Sequence, residues 1–156
     1  MQVITLLWIA TLFAQSGATV KVSGDISAPL ILTVKDLAAM PHESFEIPDD
    51  KGVYAKYEGV PLQEILKKAG LPIGNVRGKN LSIYVLATAT DQYQVVFSLG
   101  ELDPTFGNTK VLLVEQPEGK PVDARKGPFW LAVPNDKAGA RDVRMLEKLE
   151  IVRLRK

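Results

Sequence analysis

The sequence predicts an α+β domain, with mixed, strand-rich sheets and two or three short helices. Three observations point there. Short apolar runs alternate with Gly, Pro and Asp turn signals, one segment has clear helical spacing, and two capping signatures open helices of little more than a turn. In chain order, residues 19–22 and 30–33 read as short strands around a turn region at Gly24 and Pro29. Thr33-Val34-Lys35-Asp36 resembles a capping box, which starts a short helix ended by Pro41. Residues 43–47 and 53–58 flank a hairpin loop, Pro48-Asp49-Asp50-Lys51-Gly52.

The clearest helix covers residues 61–69. Pro61 suits the first helical position, Gly70 suits a left-handed cap, and Leu62, Ile65 and Leu66 share one apolar face. Strands follow at 81–88 and 94–98, then a second capping-box candidate, Ser98-Leu99-Gly100-Glu101, opens one turn before Asp103-Pro104. The remaining strands are read at 110–115, 128–133 and 145–154, the last with imperfect alternation of Leu146, Leu149 and Ile151.

Two segments are expected in the chain as a whole. Residues 3–14 form an apolar run of signal-peptide length, shorter than the roughly 20 residues that cross a bilayer. Ser16-Gly17-Ala18 then offers small residues for cleavage. The expected organisation is a signal peptide over 1–18 and one domain over 19–156, located in the periplasm or secreted. The competing reading of the leader is a buried N-terminal element, and its start carries no Lys or Arg. Nothing after residue 18 is apolar enough to span a membrane. A net charge of +1 argues against nucleic acid as the partner, because phosphate binding needs a basic excess. The chain has no cysteine, so it forgoes disulfides and the soft thiolate that captures molybdenum or copper(I).

Four blocks, in order, resemble the oxidoreductase molybdopterin-binding domain, the fold of the sulfite oxidase family. They are Val22-Ser23-Gly24-Asp25 with Pro29-Leu30-Ile31-Leu32-Thr33 and Asp36-Leu37; Tyr57-Glu58-Gly59-Val60-Pro61-Leu62 running into Leu66; Asp91-Gln92-Tyr93 before Leu99 and Leu102; and Gly119-Lys120-Pro121 leading to Gly127-Pro128-Phe129-Trp130-Leu131-Ala132-Val133-Pro134. The resemblance spans nearly all of 19–156 and implies the fold more specifically than the activity. In active members it implies a molybdenum-ligating cysteine in the interval that here reads Glu46-Ile47-Pro48-Asp49-Asp50-Lys51-Gly52-Val53. It also implies a His-Gly where this chain has Lys126-Gly127, and a cofactor-facing arginine where it has Trp130. The leader lacks the twin arginines that accompany export of a folded, cofactor-loaded protein. A chain exported unfolded cannot retain a noncovalent cofactor whose site forms only on folding.

The candidate ligand pocket follows from these blocks. Related domains line the cofactor phosphate with the loop after the Val-Pro turn, so Lys137, Arg141 and Arg144 are the candidate anion contacts, with Gly139 allowing close backbone approach. The plainer reading, which the charge balance favours, is a solvated loop in which Asp136 and Asp142 neutralise their neighbours. Asp91 and Tyr93 stand near the pocket by the same resemblance. Gln92 replaces a glycine often found there, so the turn is expected to differ in geometry. Trp130 would fill or dry the space its relatives give to the arginine. The other aromatics, Phe97, Phe129 and Tyr84, are expected in the core. His42 with Glu43, Glu46, Asp49 and Asp50 makes no zinc pattern, and no Gly-x-Ser-x-Gly elbow supports a serine hydrolase.

The expected function is an exported module that binds a small anionic molecule or an envelope protein, without molybdenum catalysis and with no cofactor. Two alternatives stand beside it. One is a molybdopterin-dependent oxidoreductase that holds its cofactor noncovalently; the other is a structural partner subunit of an envelope complex.

Overall fold

The computed structural model describes residues 17–49, 51–116 and 123–155. The leader and the Gly119-Lys120-Pro121 block therefore lie outside the described residues, apart from Gly17 and Ala18.

Two sheets form the body. The first contains β1 (Thr19–Gly24), β2 (Leu30–Thr33), β5 (Ile83–Ala89), β6 (Gln94–Ser98) and β9 (Leu146–Arg153), in the order β2-β1-β9-β5-β6. The second contains β3 (Glu43–Pro48), β4 (Tyr54–Pro61), β7 (Leu112–Glu115) and β8 (Phe129–Ala132), in the order β3-β4-β7-β8. The β1–β9 pair is parallel and the other named pairs are antiparallel. The α+β expectation, with mixed sheets and few helices, holds.

Local signals account for the helices. Thr33 caps α1 (Val34–Ala38): its hydroxyl accepts from the Asp36 N–H while the Asp36 carboxylate accepts from the Thr33 N–H at 2.8 Å. Ser98 and Glu101 repeat the device at α3 (Leu99–Leu102). The helix α2 (Leu62–Lys68) starts after Pro61, and Leu62, Ile65 and Leu66 are fully buried. Each such side chain contributes about 1.5–3 kcal/mol of burial. Two 3₁₀ turns, Gly78–Ser82 and Gly139–Arg141, were not expected.

The main core lies between the sheets and is almost wholly aliphatic, with Val20, Val85 and Ile151 from one and Leu113 and Leu131 from the other packed around α2. A smaller cluster sits on the opposite face of the second sheet: Phe45, Leu112, Val114, Trp130 and Ala132, flanked by Ile47 and Tyr57. Alternation along β7 and β8 divides the two, since Leu113 and Leu131 face the main core while Leu112, Val114 and Trp130 face the cluster.

Gly24 closes the first sheet. Its φ is +102°, and a Cβ there would stand 2.2 Å from the Ile151 carbonyl oxygen, so only glycine lets β1 lie against β9.

Candidate functional site

The aromatic cluster forms the floor of a cleft of about 390 Å³. Its walls come from three places: Pro48, Asp49 and Lys51 at the β3–β4 hairpin tip; Asp123, Arg125 and Lys126 before β8; and Gly139, Asp142 and Arg144 after it. These include the three positions at which this chain replaces a contact that the resemblance implied. The hairpin interval, Lys126 and Trp130 are scattered in sequence and converge here.

Lys126 occupies the centre of that convergence. Its Nζ lies 4.3 Å from the centroids of both the Tyr57 and the Trp130 rings, and it donates to the Tyr57 hydroxyl at 2.8 Å. The two rings meet edge to face with centroids 5.4 Å apart. Backbone geometry fixes the lysine in place. Its carbonyl accepts from the Met145 N–H at 2.8 Å, and Gly127 turns the chain at φ +71°, where a Cβ would stand 2.9 Å from Met145 Cγ. An ammonium has three donors, so a bound anion can share Lys126 with Tyr57.

The loop after β8 separates its cations. The Arg141 guanidinium donates twice to Asp136, at 2.6 and 2.8 Å, and once to Glu101 at 2.8 Å, and it lies over the Phe97 ring. These hydrogen bonds, Asp136 first and Glu101 second, push its pKa up, and Arg141 in turn holds the Asp136 carboxyl below its usual value. Glu101 thus serves α3 with one oxygen and the loop with the other. Arg141 acts as a tie between loop and body and lines neither cleft. Lys137 is exposed and lines neither cleft as well. Arg144 is the member of the basic trio that faces the cleft.

Asp91, Tyr93 and Arg144 do come together, in a shallower depression with Gly139, Ala140 and Asp142. Its lining overlaps the main cleft at Gly139, Asp142 and Arg144. Tyr93 donates its hydroxyl to the Ala140 carbonyl, and Asp91 accepts from the Tyr93 N–H at 2.9 Å. Contrary to the reading of Gln92, the turn keeps a left-handed residue there, at φ +73°. The Asp91 cap and the Ala89–Tyr93 backbone pair hold glutamine in a conformation that glycine adopts more readily.

Tyr57, Lys126 and Asp142 are among the residues of the site that escaped the candidate pocket read from sequence. Lys126 had a signal, as the residue in place of an expected histidine. Asp142 had been read only as a neutraliser. Its Oδ1 accepts from the Val133 N–H at 2.8 Å, and burial raises its carboxyl pKa against the opposing effects of that hydrogen bond, Lys126 and Arg144.

A second cavity of about 330 Å³ lies across the Tyr57–Trp130 wall. It opens where β4 and β7, paired at Val60↔Leu113 and Pro61↔Leu112, part company. His42 stands there with Nδ1 2.8 Å from the Met40 carbonyl and Nε2 2.7 Å from Glu115 Oε1. A carbonyl only accepts, so Nδ1 carries a proton, and a second proton must lie between Nε2 and the carboxylate. Burial pulls the histidine's pKa down, but the Glu115 hydrogen bond and charge and the Met40 carbonyl together raise it. Glu115 Oε2 and Trp130 Nε1 are buried with no hydrogen-bond partner among the described residues.

The donor set of the main cleft does not fit molybdenum. The sequence holds no thiolate, Asp123 is engaged by Arg125, and Asp49 accepts from the N–H groups of Lys51 and Val53. Among the described residues no three His, Asp or Glu side chains group closely enough to hold a metal ion. No helix among them is long and apolar enough to cross a membrane.

No family model matches the chain, and no curated protein matches it. Among solved structures it is similar to the sulfane dehydrogenase SoxCD from Paracoccus pantotrophus, with a TM-score of 0.64 and 19% sequence identity. The match covers 86% of this chain and 38% of that one, so this chain spans well under half of its length. The likeness is one of fold: the strand-rich α+β architecture is common to both.

Proposed function

We propose that the chain is an exported binding module of molybdopterin-binding-like fold, taking a small anion with a flat apolar body and working without molybdenum catalysis. One observation carries this reading. The three positions where this chain replaces an implied cofactor contact converge on one cleft with Arg144, and they present a cation over two aromatic rings, with no soft metal ligand. The part-exposed Tyr57 ring suits a flat group, the buried Trp130 closes the floor beneath it, and Lys126 and Arg144 supply positive charge beside it. The test is a calorimetric titration with naphthalene-2-sulfonate and with sulfate. Binding of the aromatic sulfonate, at least tenfold weaker in Arg144→Ala and in Lys126→Ala, supports the reading; unchanged affinity in both variants overturns it.

A second reading rests on the shared architecture with a dehydrogenase. In it the chain is an oxidoreductase that holds molybdopterin through noncovalent contacts alone. Elemental analysis of natively isolated protein separates the two, since stoichiometric molybdenum is expected only under the second.

A further inference from the structure

We propose that Asp142 makes anion capture by the main cleft proton-coupled, so that the anion enters together with one proton taken from solvent onto the Asp142 carboxylate. This rests on the anion-binding reading above and specifies how that site is regulated.

Asp142 lines both the main cleft and the adjoining depression, alongside Gly139 and Arg144. It is therefore the carboxylate at their junction. Its Oδ1 is held by the Val133 N–H at 2.8 Å, while Oδ2 points towards Gly139, 3.5 Å from where a Cβ would stand. Gly139 itself brings no side chain towards that oxygen.

The charged and titratable groups facing it can be taken element by element. From the segment before β8, Lys126 attracts the carboxylate, and Asp123 is neutralised by Arg125. From its own loop, Arg144 attracts it, and Asp136 repels it while bonded to Arg141. From the β5–β6 turn come Asp91, capping Tyr93, and the Tyr93 hydroxyl, bonded to Ala140. From the β3–β4 hairpin come Lys51 and Asp49, the latter capping its own turn. Tyr57 is bonded to Lys126. Every other carboxylate in this group already serves a cation or a backbone turn.

An ionised Asp142 competes for Lys126 and Arg144, the two cations an incoming anion needs. Like charges in one partly buried site cannot both be held cheaply, so the proton goes to the carboxylate. Burial already favours the protonated form. A neutral Asp142 then offers its O–H as a donor to the anion. By linkage, affinity rises as pH falls, by up to about tenfold per pH unit at the steepest point.

The probe is naphthalene-2-sulfonate, whose charge stays constant across the range, titrated calorimetrically into the full chain from pH 4.5 to 7.5. Two buffers of different ionisation heat give the number of protons taken up. Uptake of up to one proton, with affinity falling as pH rises, is expected. Asp142→Asn is expected to bind with a flattened pH profile and, at pH 7, more tightly than the parent chain. His42 titrates nearby across the aromatic wall, but it remains in this variant and cannot account for a lost slope. Intact binding with no proton uptake overturns the proposal, as does a slope retained in Asp142→Asn. Absence of sulfonate binding at every pH overturns the anion-binding reading itself and this proposal with it.

Discussion

The two apolar clusters lie on opposite faces of one sheet and are built to different standards. The main core is mostly aliphatic, closed and packed around α2, while the cluster under the cleft is rich in aromatic rings and carries a cation on two of them. The only buried side-chain atoms lacking hydrogen-bond partners among the described residues, Glu115 Oε2 and Trp130 Nε1, belong to residues lining the cavity beside that second cluster. The lesson is that stability and recognition are divided between two faces of the β4-β7-β8 strands. Adjacent residues can therefore be tested against each other.

Leu113 and Leu112 are the first such pair. Leu113→Ala should cost roughly 2–5 kcal/mol, because the closed core leaves a cavity that cannot relax. Leu112→Ala should cost about 2 kcal/mol, since its cluster borders open clefts and can readjust. Urea unfolding of both variants checks the difference, and equal losses would abolish the distinction between the faces.

Arg141 and Arg144 extend the comparison to one loop. Arg141→Ala should lower stability by about 1 kcal/mol, a figure discounted for its partial exposure, and leave sulfonate affinity nearly unchanged. Arg144→Ala should do the reverse, with stability within about 0.5 kcal/mol of the parent and binding lost. Denaturation midpoints and titration heats on the same preparations decide it.

The His42–Glu115 pair supplies a pH test. Its folded-state histidine pKa lies above the usual 6.5, so its stabilisation is full below about 6.5 and is lost as pH rises through the folded value. The stability gap between the parent and Glu115→Gln should therefore shrink, by on the order of 1 kcal/mol, between pH 6 and 9. A gap that stays constant with pH would show that the shared proton contributes nothing. Smallest of all, Gln92→Gly should stabilise by some tenths of a kcal/mol up to about 1, by relieving a positive φ. A thermal melt reads it directly.

How much of this was legible in the sequence follows the range of the interactions. Both capping boxes are contained within four residues, and both were read correctly from Thr33/Asp36 and Ser98/Glu101. Strands 30–33 and 94–98 matched as well. The alternation in β9 looked imperfect for a reason no local pattern reveals. Its pairing with β5 shifts register between Thr88 and Ala89, so that Lys148 and then Leu146 face consecutive residues. Asp136, read as a neutraliser within the loop, does bind Arg141, while its second partner was hidden for the same reason, because Glu101 lies forty residues away. The basic loop, read as one unit, splits according to contacts that only the assembled fold supplies. Trp130 was singled out correctly as a residue of interest, yet Lys126 above it was noticed only as a substitution.

The insertion of β9 between β1 and β5 has a consequence for how the molecule comes into being. The β1–β2 and β5–β6 hairpins can each form early, but nothing joins them until the last described strand arrives between them. Thr19 to Gly24 must wait for residues beyond Leu146, a long closure that favours slow, late consolidation. A chain interrupted before Leu146 would be left with two unjoined ribbons and exposed edges, open to pairing with strangers.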